Sequence, residues 1–488
     1  MSALILLLLS AGLLATIVLQ IVILVRLPKS SAPTAPVLGS RAALLEAEDA
    51  ASAQVFEEMS ELAGNLTALD AARSSPHHGG PLRVARALAI VHIAMADAVA
   101  STTRAFWPYT DIPFASEPAS TCSAVVTAAY TALFSLYPSF EQHVRAAASA
   151  IESRFPETDA IRRGRLIGHD AALRILARRG DDGANHAEPL AASFESTEPG
   201  KWRRDPIAQH AIALGGLWAE RVAPFVIESA TQFRVPPPPA LASREFALEF
   251  AELLAVGGDG NHTATMRDEW GTMTGLFWAY DGTGNVCAPP RLYMQLLLQI
   301  ARQRALPMME RIRMLSTAAV VMADAGLAAW DSKYHYRRAR PVTFVRQDAD
   351  VDGNDATYAV ANWQPLGAPA SNSDAPNFTP PFPAYPSGHA VFGSAVVNVV
   401  RNFLLHDQFA VSFVSSELDG VTRDNRGRVR QRVARTFDTG TQIELENADS
   451  RIQLGIHWHY DCAVGMFQGA QVGQFVSDRI FRPLLRSA

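Results

Sequence analysis

The segment PLRVARALAIVHIAMADAVAS, residues 81–101, opens on proline and stays apolar through roughly five helical turns. A run that long exceeds an ordinary strand, and proline at its first position fits a helix start. Similar patterns recur. AALLEAEDAASAQVFEEMSELAG has helix composition and amphipathic spacing, and TDAIRRGRLIGHDAALRILARRG closes on Arg-Arg-Gly, a helix stop. Sustained period-two alternation is scarce. The expected fold is all-α: two packed four-helix-type bundles, preceded by a single apolar N-terminal helix.

That first helix would be MSALILLLLSAGLLATIVLQIVILVRLPK, residues 1–29. Ser2 to Val25 carries no charge, and a bilayer span needs roughly 20 such residues. Arg26 and Lys29 follow the apolar run, whereas a cleaved signal peptide carries its positive charge in front. We therefore expect a single-pass membrane anchor that contacts the lipid bilayer through residues 2–25. Which side holds the remaining chain stays open. Signal cleavage with export is the competing reading.

Residues 30–40, SSAPTAPVLGS, read as a Pro/Ser linker, and RVPPPPALAS as a domain boundary. The expected division is an N-terminal helical region at 41–240 and a catalytic helical domain at 241–488. Further helices are expected at 244–256, 290–304, 307–332, 387–405 and 456–482, with a long loop at 342–386.

With 48% apolar and 19% charged residues, the chain can bury a sizeable core. A net charge of −5 and no basic patch argue against nucleic acid as a partner. Any bound anion must be held by a local cluster of cations. Cys122, Cys287 and Cys462 are too scattered for a disulfide framework or a zinc site.

Three stretches supply such a cluster. In KYHYRRARP, Lys333 and Arg340 are seven residues apart, so one helix would place both on one face until Pro341 ends it. In PSGH, Ser387 offers a hydroxyl and Gly388 lets backbone approach a ligand closely. The helix start there offers unpaired N–H groups, and His389 titrates near neutrality. In SRIQLGIHWHYDC, Arg451 can fork onto two oxygens. His457 and Asp461 are four apart, so Asp461 could orient the ring, and Gly455 would mark the turn that brings Arg451 and His457 together. Each stretch alone also fits an ordinary helix end or cap. Together they suit a tetrahedral oxyanion that passes through a five-coordinate state.

The pattern K-x6-R-P, P-S-G-H, S-R-x5-H-x3-D resembles that of the superfamily joining type 2 phosphatidic acid phosphatases with vanadium-dependent haloperoxidases. TPPFPAYPSGHAVFG, and the stretch from SSELDGVTRDNRG to SRIQLGIHWHYDCA, are similar to the chloroperoxidase branch. The resemblance covers roughly residues 80–480. It implies vanadate, vanadium(V), as cofactor and no haem. It implies that His457 bonds the vanadium, with Lys333, Arg340, Ser387, Gly388 and Arg451 around the oxygens and His389 as acid–base group. Hydrogen peroxide, a halide and an organic acceptor would be the partners, and hypohalous acid the product. Lys333 would polarise the peroxide, Phe382 and Trp330 would wall the halide pocket, Asp281 would set Arg451, and Asp461 would support a histidine. Bromide oxidation is expected, with chloride as well. The alternative is a membrane-anchored acid phosphatase in which His457 is the nucleophile and phosphohistidine the intermediate. A non-catalytic anion-binding relative is a third reading, opposed by the complete motif.

One acidic segment stands apart. Asp348, Asp350, Asp352 and Gly353 copy the opening of a calcium loop, but its twelfth position is Ala359 rather than a glutamate. An acidic turn is the simpler reading, with calcium binding left open.

Overall fold

The computed structural model describes residues 41–73, 80–304 and 306–484. The apolar helix expected at 1–29 and the linker at 30–40 lie outside the described residues. Asp49–Ala488 form one compact unit; of Met1–Glu48 only residues 41–48 are described, and they are helical.

The chain is built from helices. They are α1 (Arg41–Arg73), α2 (Pro81–Thr103), α3 (Thr121–Leu136), α4 (Glu141–Glu152), α5 (Asp159–Arg179) and the single turn α6 (Trp218–Arg221). Then come α7 (Arg244–Val256), α8 (Glu269–Phe277), α9 (Pro289–Gln303) and α10 (Met308–Tyr336). α11 (Pro341–Gln347), α12 (Gly388–Leu404), α13 (Gly440–Gln453) and α14 (His459–Ser477) complete the set. α2, α3 and α5 pack together, and α2 packs against α10, which also meets α12 and α14. The long helix is thus the shared wall of two bundles.

α2 and α10 are long and apolar enough to cross a membrane by composition, yet 94% of each apolar window is buried inside the protein. They are the core helices on which the others pack. His92, Asp97 and Asp324 are buried polar exceptions. Asp324 is satisfied by the backbone N–H groups of Phe225, Val226 and Ile227.

α12 and α14 run side by side with their N-termini together. Gly465, Gly469 and Gly473 recur every four residues along α14, where a Cβ at Gly469 would sit 2.2 Å from the Val391 carbonyl oxygen. The stripe lets two backbones approach closely. It also presents two helix N-termini, the positive ends of their dipoles, to one region of space.

The structure departs from the sequence expectations at four places. α10 ends at Tyr336, because Arg337 turns left-handed at φ 52° and donates its N–H to the Lys333 carbonyl. Pro341 starts a helix instead of ending one: its fixed φ suits the first position of α11, with Arg340 as N-cap. The expected loop at 342–386 therefore begins as a helix. α14 begins at His459, so His457 precedes it. Finally, β1 (Gln408–Val414) and β2 (Ala434–Thr439) form an antiparallel hairpin, with Phe409, Val411 and Phe413 buried on alternate positions.

Candidate active site

The seven candidate residues reach one region from three elements. α10 brings Lys333; the extended residues after it bring Arg340. The start of α12 brings Ser387, Gly388 and His389. The end of α13 brings Arg451, and the turn through Gly455 (φ 70°) leads on to His457. Ser387 N–H donates to the Asp461 carbonyl at 2.9 Å, joining the start of α12 to the start of α14.

His457 is held from both sides. Its Nδ1 lies 2.8 Å from Asp461 Oδ2, which also accepts the Trp458 N–H at 3.1 Å. A carboxylate there fixes the proton on Nδ1 and leaves Nε2 with a lone pair. Arg340 Nη1 stands 2.8 Å from that nitrogen. Burial pulls the His457 pKa well below the ordinary histidine value, and Arg340, Lys333 and Arg451 pull the same way. The imidazole is neutral. Burial pushes the Asp461 carboxyl up to about 7, opposed by Lys333 and Arg340.

Arg340 is braced by the carbonyls of Phe382 and Ile456, both at 2.8 Å. Burial lowers its pKa to about 9, and Asp461 acts in opposition. Arg451 Nη2 donates to both Asp281 oxygens, at 2.9 and 2.8 Å. Burial raises the Asp281 pKa, and Arg451 counters it.

His389 donates from Nε2 to the Ala279 carbonyl, with Arg451 Nη1 3.3 Å away. Burial, then Arg451, depresses its pKa well below the ordinary value. Tyr293 and Asn447 anchor the His389 backbone carbonyl at 2.8 and 2.9 Å.

Lys333 turns its ammonium toward the segment that leads into Ser387. Its Nζ donates to the carbonyls of Pro383, Ala384 and Pro386. An ammonium has three donors, so all are used by the segment leading into Ser387. Burial pulls the Lys333 pKa well down, with Arg340 adding to the effect. Three matched acceptors nevertheless favour the charged form.

Arg340, Gly388, His389, His457 and Asp281 line a cavity of 540 Å³. Trp330 and Phe382 also line it, with ring centroids 4.8 Å apart. Gly388 packs its backbone on Trp330, where a Cβ would meet the ring at 3.2 Å. Lys333 Nζ lies 5.1 Å and the Arg340 guanidinium 4.9 Å from the Phe382 ring centroid.

Three buried donors in this cluster have no hydrogen-bond partner: Ser387 Oγ, Arg340 Nη2 and Arg451 Nε. Lys333, Arg340 and Arg451 are answered by Asp281 and Asp461, which leaves one positive charge in excess when both histidines are neutral. A buried positive excess with orphaned donors is the signature of an anion site.

The carboxylates of the acidic segment are all engaged by protein groups. Asp348 takes the Gly200 N–H and pairs with Arg203. Asp350 caps the Ala359 N–H, and Asp352 binds Asn354 and Thr357. No cluster of metal-ligating side chains occurs among the described residues.

Sequence reasoning missed His210 and Asp205, which belong to no motif. His210 lines the cavity and packs edge-on against Phe378 at 5.3 Å.

Residues 313–484 match the family model of the VCPO second helical-bundle domain. The vanadium chloroperoxidase of Curvularia inaequalis is 32% identical over 355 residues, 61% of this chain; the chain spans 56% of that relative's length. A bacterial vanadium-dependent iodoperoxidase structure superposes with a TM-score of 0.68 at 22% identity, covering 93% of this chain and all of that one. A holo-type bacterial vanadium-dependent chloroperoxidase gives 0.62 at 18% identity, covering 84% and 95%. The fold is that of these helical structures, and the site gathers buried cations and unpartnered donors about His457.

Proposed function

We propose that the protein is a vanadate-dependent haloperoxidase that oxidises bromide, and chloride as well, with hydrogen peroxide to hypohalous acid. The observation that carries this is the set of orphaned donors, Ser387 Oγ, Arg340 Nη2 and Arg451 Nε, beside the lone pair of His457 Nε2. The residues fit vanadate. His457 would be its protein ligand, and those donors with the Gly388 N–H would take its oxygens. When bound, vanadate supplies a Lewis acid that activates peroxide without changing oxidation state.

The chain's residues do the rest. Asp461 keeps the His457 tautomer. Asp281 holds the plane of Arg451. Lys333 contributes charge and pins the Pro383–Pro386 carbonyls, so Ser387, Gly388 and His389 arrive with little freedom. His389 is the acid–base group: neutral, with Nε2–H already on the Ala279 carbonyl, it accepts the incoming proton on Nδ1. Trp330 and Phe382 keep bulk water from the halide. Every one of these residues falls within 241–488, which supports a catalytic role for that region. The uncharged run from Ser2 to Val25 supports a bilayer anchor on composition alone.

The test is direct. Purified protein is dialysed against orthovanadate, and bound vanadium is measured. Bromination of a phenolic dye is then followed with peroxide and bromide. Stoichiometric vanadium and vanadium-dependent bromination are expected. Bound vanadium with no halogenation at any pH from mildly acidic to neutral would overturn the reading.

A further inference from the structure

Tyr280 is fully buried, yet its backbone is left-handed, at φ 43°. A residue with a Cβ is strained in that region, which glycine usually fills. Its two neighbours show what the conformation achieves. The carbonyl of Ala279, the residue before, takes the His389 Nε2–H at 2.5 Å. The carboxylate of Asp281, the residue after, takes both bonds from Arg451 Nη2. The peptide plane between residues 279 and 280 carries the Ala279 carbonyl, and φ at Tyr280 turns that plane relative to Asp281. One dihedral therefore sets the acid–base histidine and the anion-binding arginine relative to each other. Gly282 follows at φ 94°, with its N–H on the Cys287 carbonyl at 3.0 Å, and closes the turn.

The Tyr280 side chain holds this turn in place. Its hydroxyl donates to Gln295 Oε1 on α9 at 2.8 Å and accepts the Ser416 N–H at 2.6 Å. Ser415 donates its own hydroxyl to the Phe277 carbonyl at 2.6 Å. Residues 415 and 416 thus grip the chain on both sides of Ala279. A strained dihedral persists only where its surroundings over-determine it, and such residues collect at functional sites.

We propose that Tyr280 is a positioning residue: through one left-handed turn, braced by Gln295 and Ser416, it sets His389 by way of the Ala279 carbonyl and Arg451 by way of Asp281. Tyr280 itself is absent from the cavity lining. The roles of His389 and Arg451 come from the haloperoxidase reading; the placement of the two side chains does not.

Tyr280→Phe removes the hydroxyl and keeps the ring. Vanadate affinity of the full-length protein is measured by equilibrium dialysis, in the native background and in Asp281→Ala, where the link to Arg451 is cut. The substitution should weaken vanadate about tenfold in the native background, as for other outer supports of a metal site, and by less than about twofold in Asp281→Ala. Bromination at saturating vanadate should fall in both backgrounds, because the Ala279 carbonyl acts on His389 without Asp281. Gln295→Met takes away only the acceptor of the hydroxyl and should repeat the pattern with smaller losses, so the answer does not hang on one variant. An equal loss of affinity in both backgrounds is what a loosened fold would produce, and it would overturn the proposal, as would no loss in either variant. Unchanged bromination at saturating vanadate would remove the His389 half. No vanadate binding to the native protein would overturn the site and this proposal together. Vanadate bound without halogenation would overturn the haloperoxidase reading alone, and the affinity comparison would still decide for or against Tyr280.

Discussion

Asp461 Oδ2 lies 2.8 Å from His457 Nδ1 and 3.1 Å from the Trp458 backbone nitrogen, so one oxygen both caps α14 and sets a tautomer. Asp461→Asn keeps the shape but can present its N–H₂ to Nδ1 and turn the lone pair round. Vanadium affinity is expected to fall about 10–100-fold, as for other supports of a metal-binding histidine. His457→Ala should abolish tight binding with the helical circular dichroism retained. Both are read by equilibrium dialysis; survival of tight binding in His457→Ala would remove the ligand assignment.

Phosphate meets the same donors as vanadate, being tetrahedral and similarly charged. Excess phosphate during reconstitution should suppress bromination, and more vanadate should restore it. The vanadate-free protein should hydrolyse an activated phosphate ester slowly, and vanadate should inhibit this. Reconstitution indifferent to phosphate would argue for two separate sites.

Phe382 packs against Trp330, with two buried cations close to its ring. Chloride is harder to oxidise than bromide and needs the more electrophilic peroxide. A dry aromatic wall sustains the field of those cations. Phe382→His brings in a polar group and water, and should lower the chloride rate more than the bromide rate. Dye halogenation with each halide, for both proteins, checks the ratio.

Histidine pKa values set two pH dependences. The His457 pKa is depressed, so its neutral ligand form persists below the ordinary value of about 6.5 and is lost only as pH falls through the lower value. Vanadium binding at micromolar vanadate should therefore hold at mildly acidic pH. In the core, burial takes His92 down to about 4. Between that value and about 6.5 the unfolded chain binds a proton that the native state refuses, so stability falls as pH falls. The contribution is complete above the unfolded value and costs about 3 kcal/mol by the folded one. Urea unfolding at neutral and acidic pH should show this loss in the wild type and much less of it in His92→Leu.

The sequence made some parts of this site easy to read and hid others. Lys333, Arg340, Ser387, Gly388, His389, Arg451 and His457 sit in three short stretches whose residue types announce an anion. Their backbone geometry was harder. Nothing at Arg337 signals a left-handed helix end, because glycine usually marks one and arginine does not. Pro341 can stop one helix or start the next, and only the packing around α11 decides. The hairpin carried its signal in QFAVSFV, but three buried positions are few against so much helical pattern. His210 lies more than a hundred residues before Lys333, and only the folded chain brings it to the cavity.

The positive excess around His457 ties the fold to the composition of its surroundings. Anything that binds only the native state stabilises it by mass action, by about 2.7 kcal/mol at a concentration one hundred times its dissociation constant. A tetrahedral oxyanion therefore acts as a strut as well as a reagent, relieving the mutual repulsion of Arg340 and Arg451. Where phosphate is abundant and vanadate scarce, phosphate would stabilise the same native state, and the catalytic identity of each molecule would follow from which ion its environment supplied.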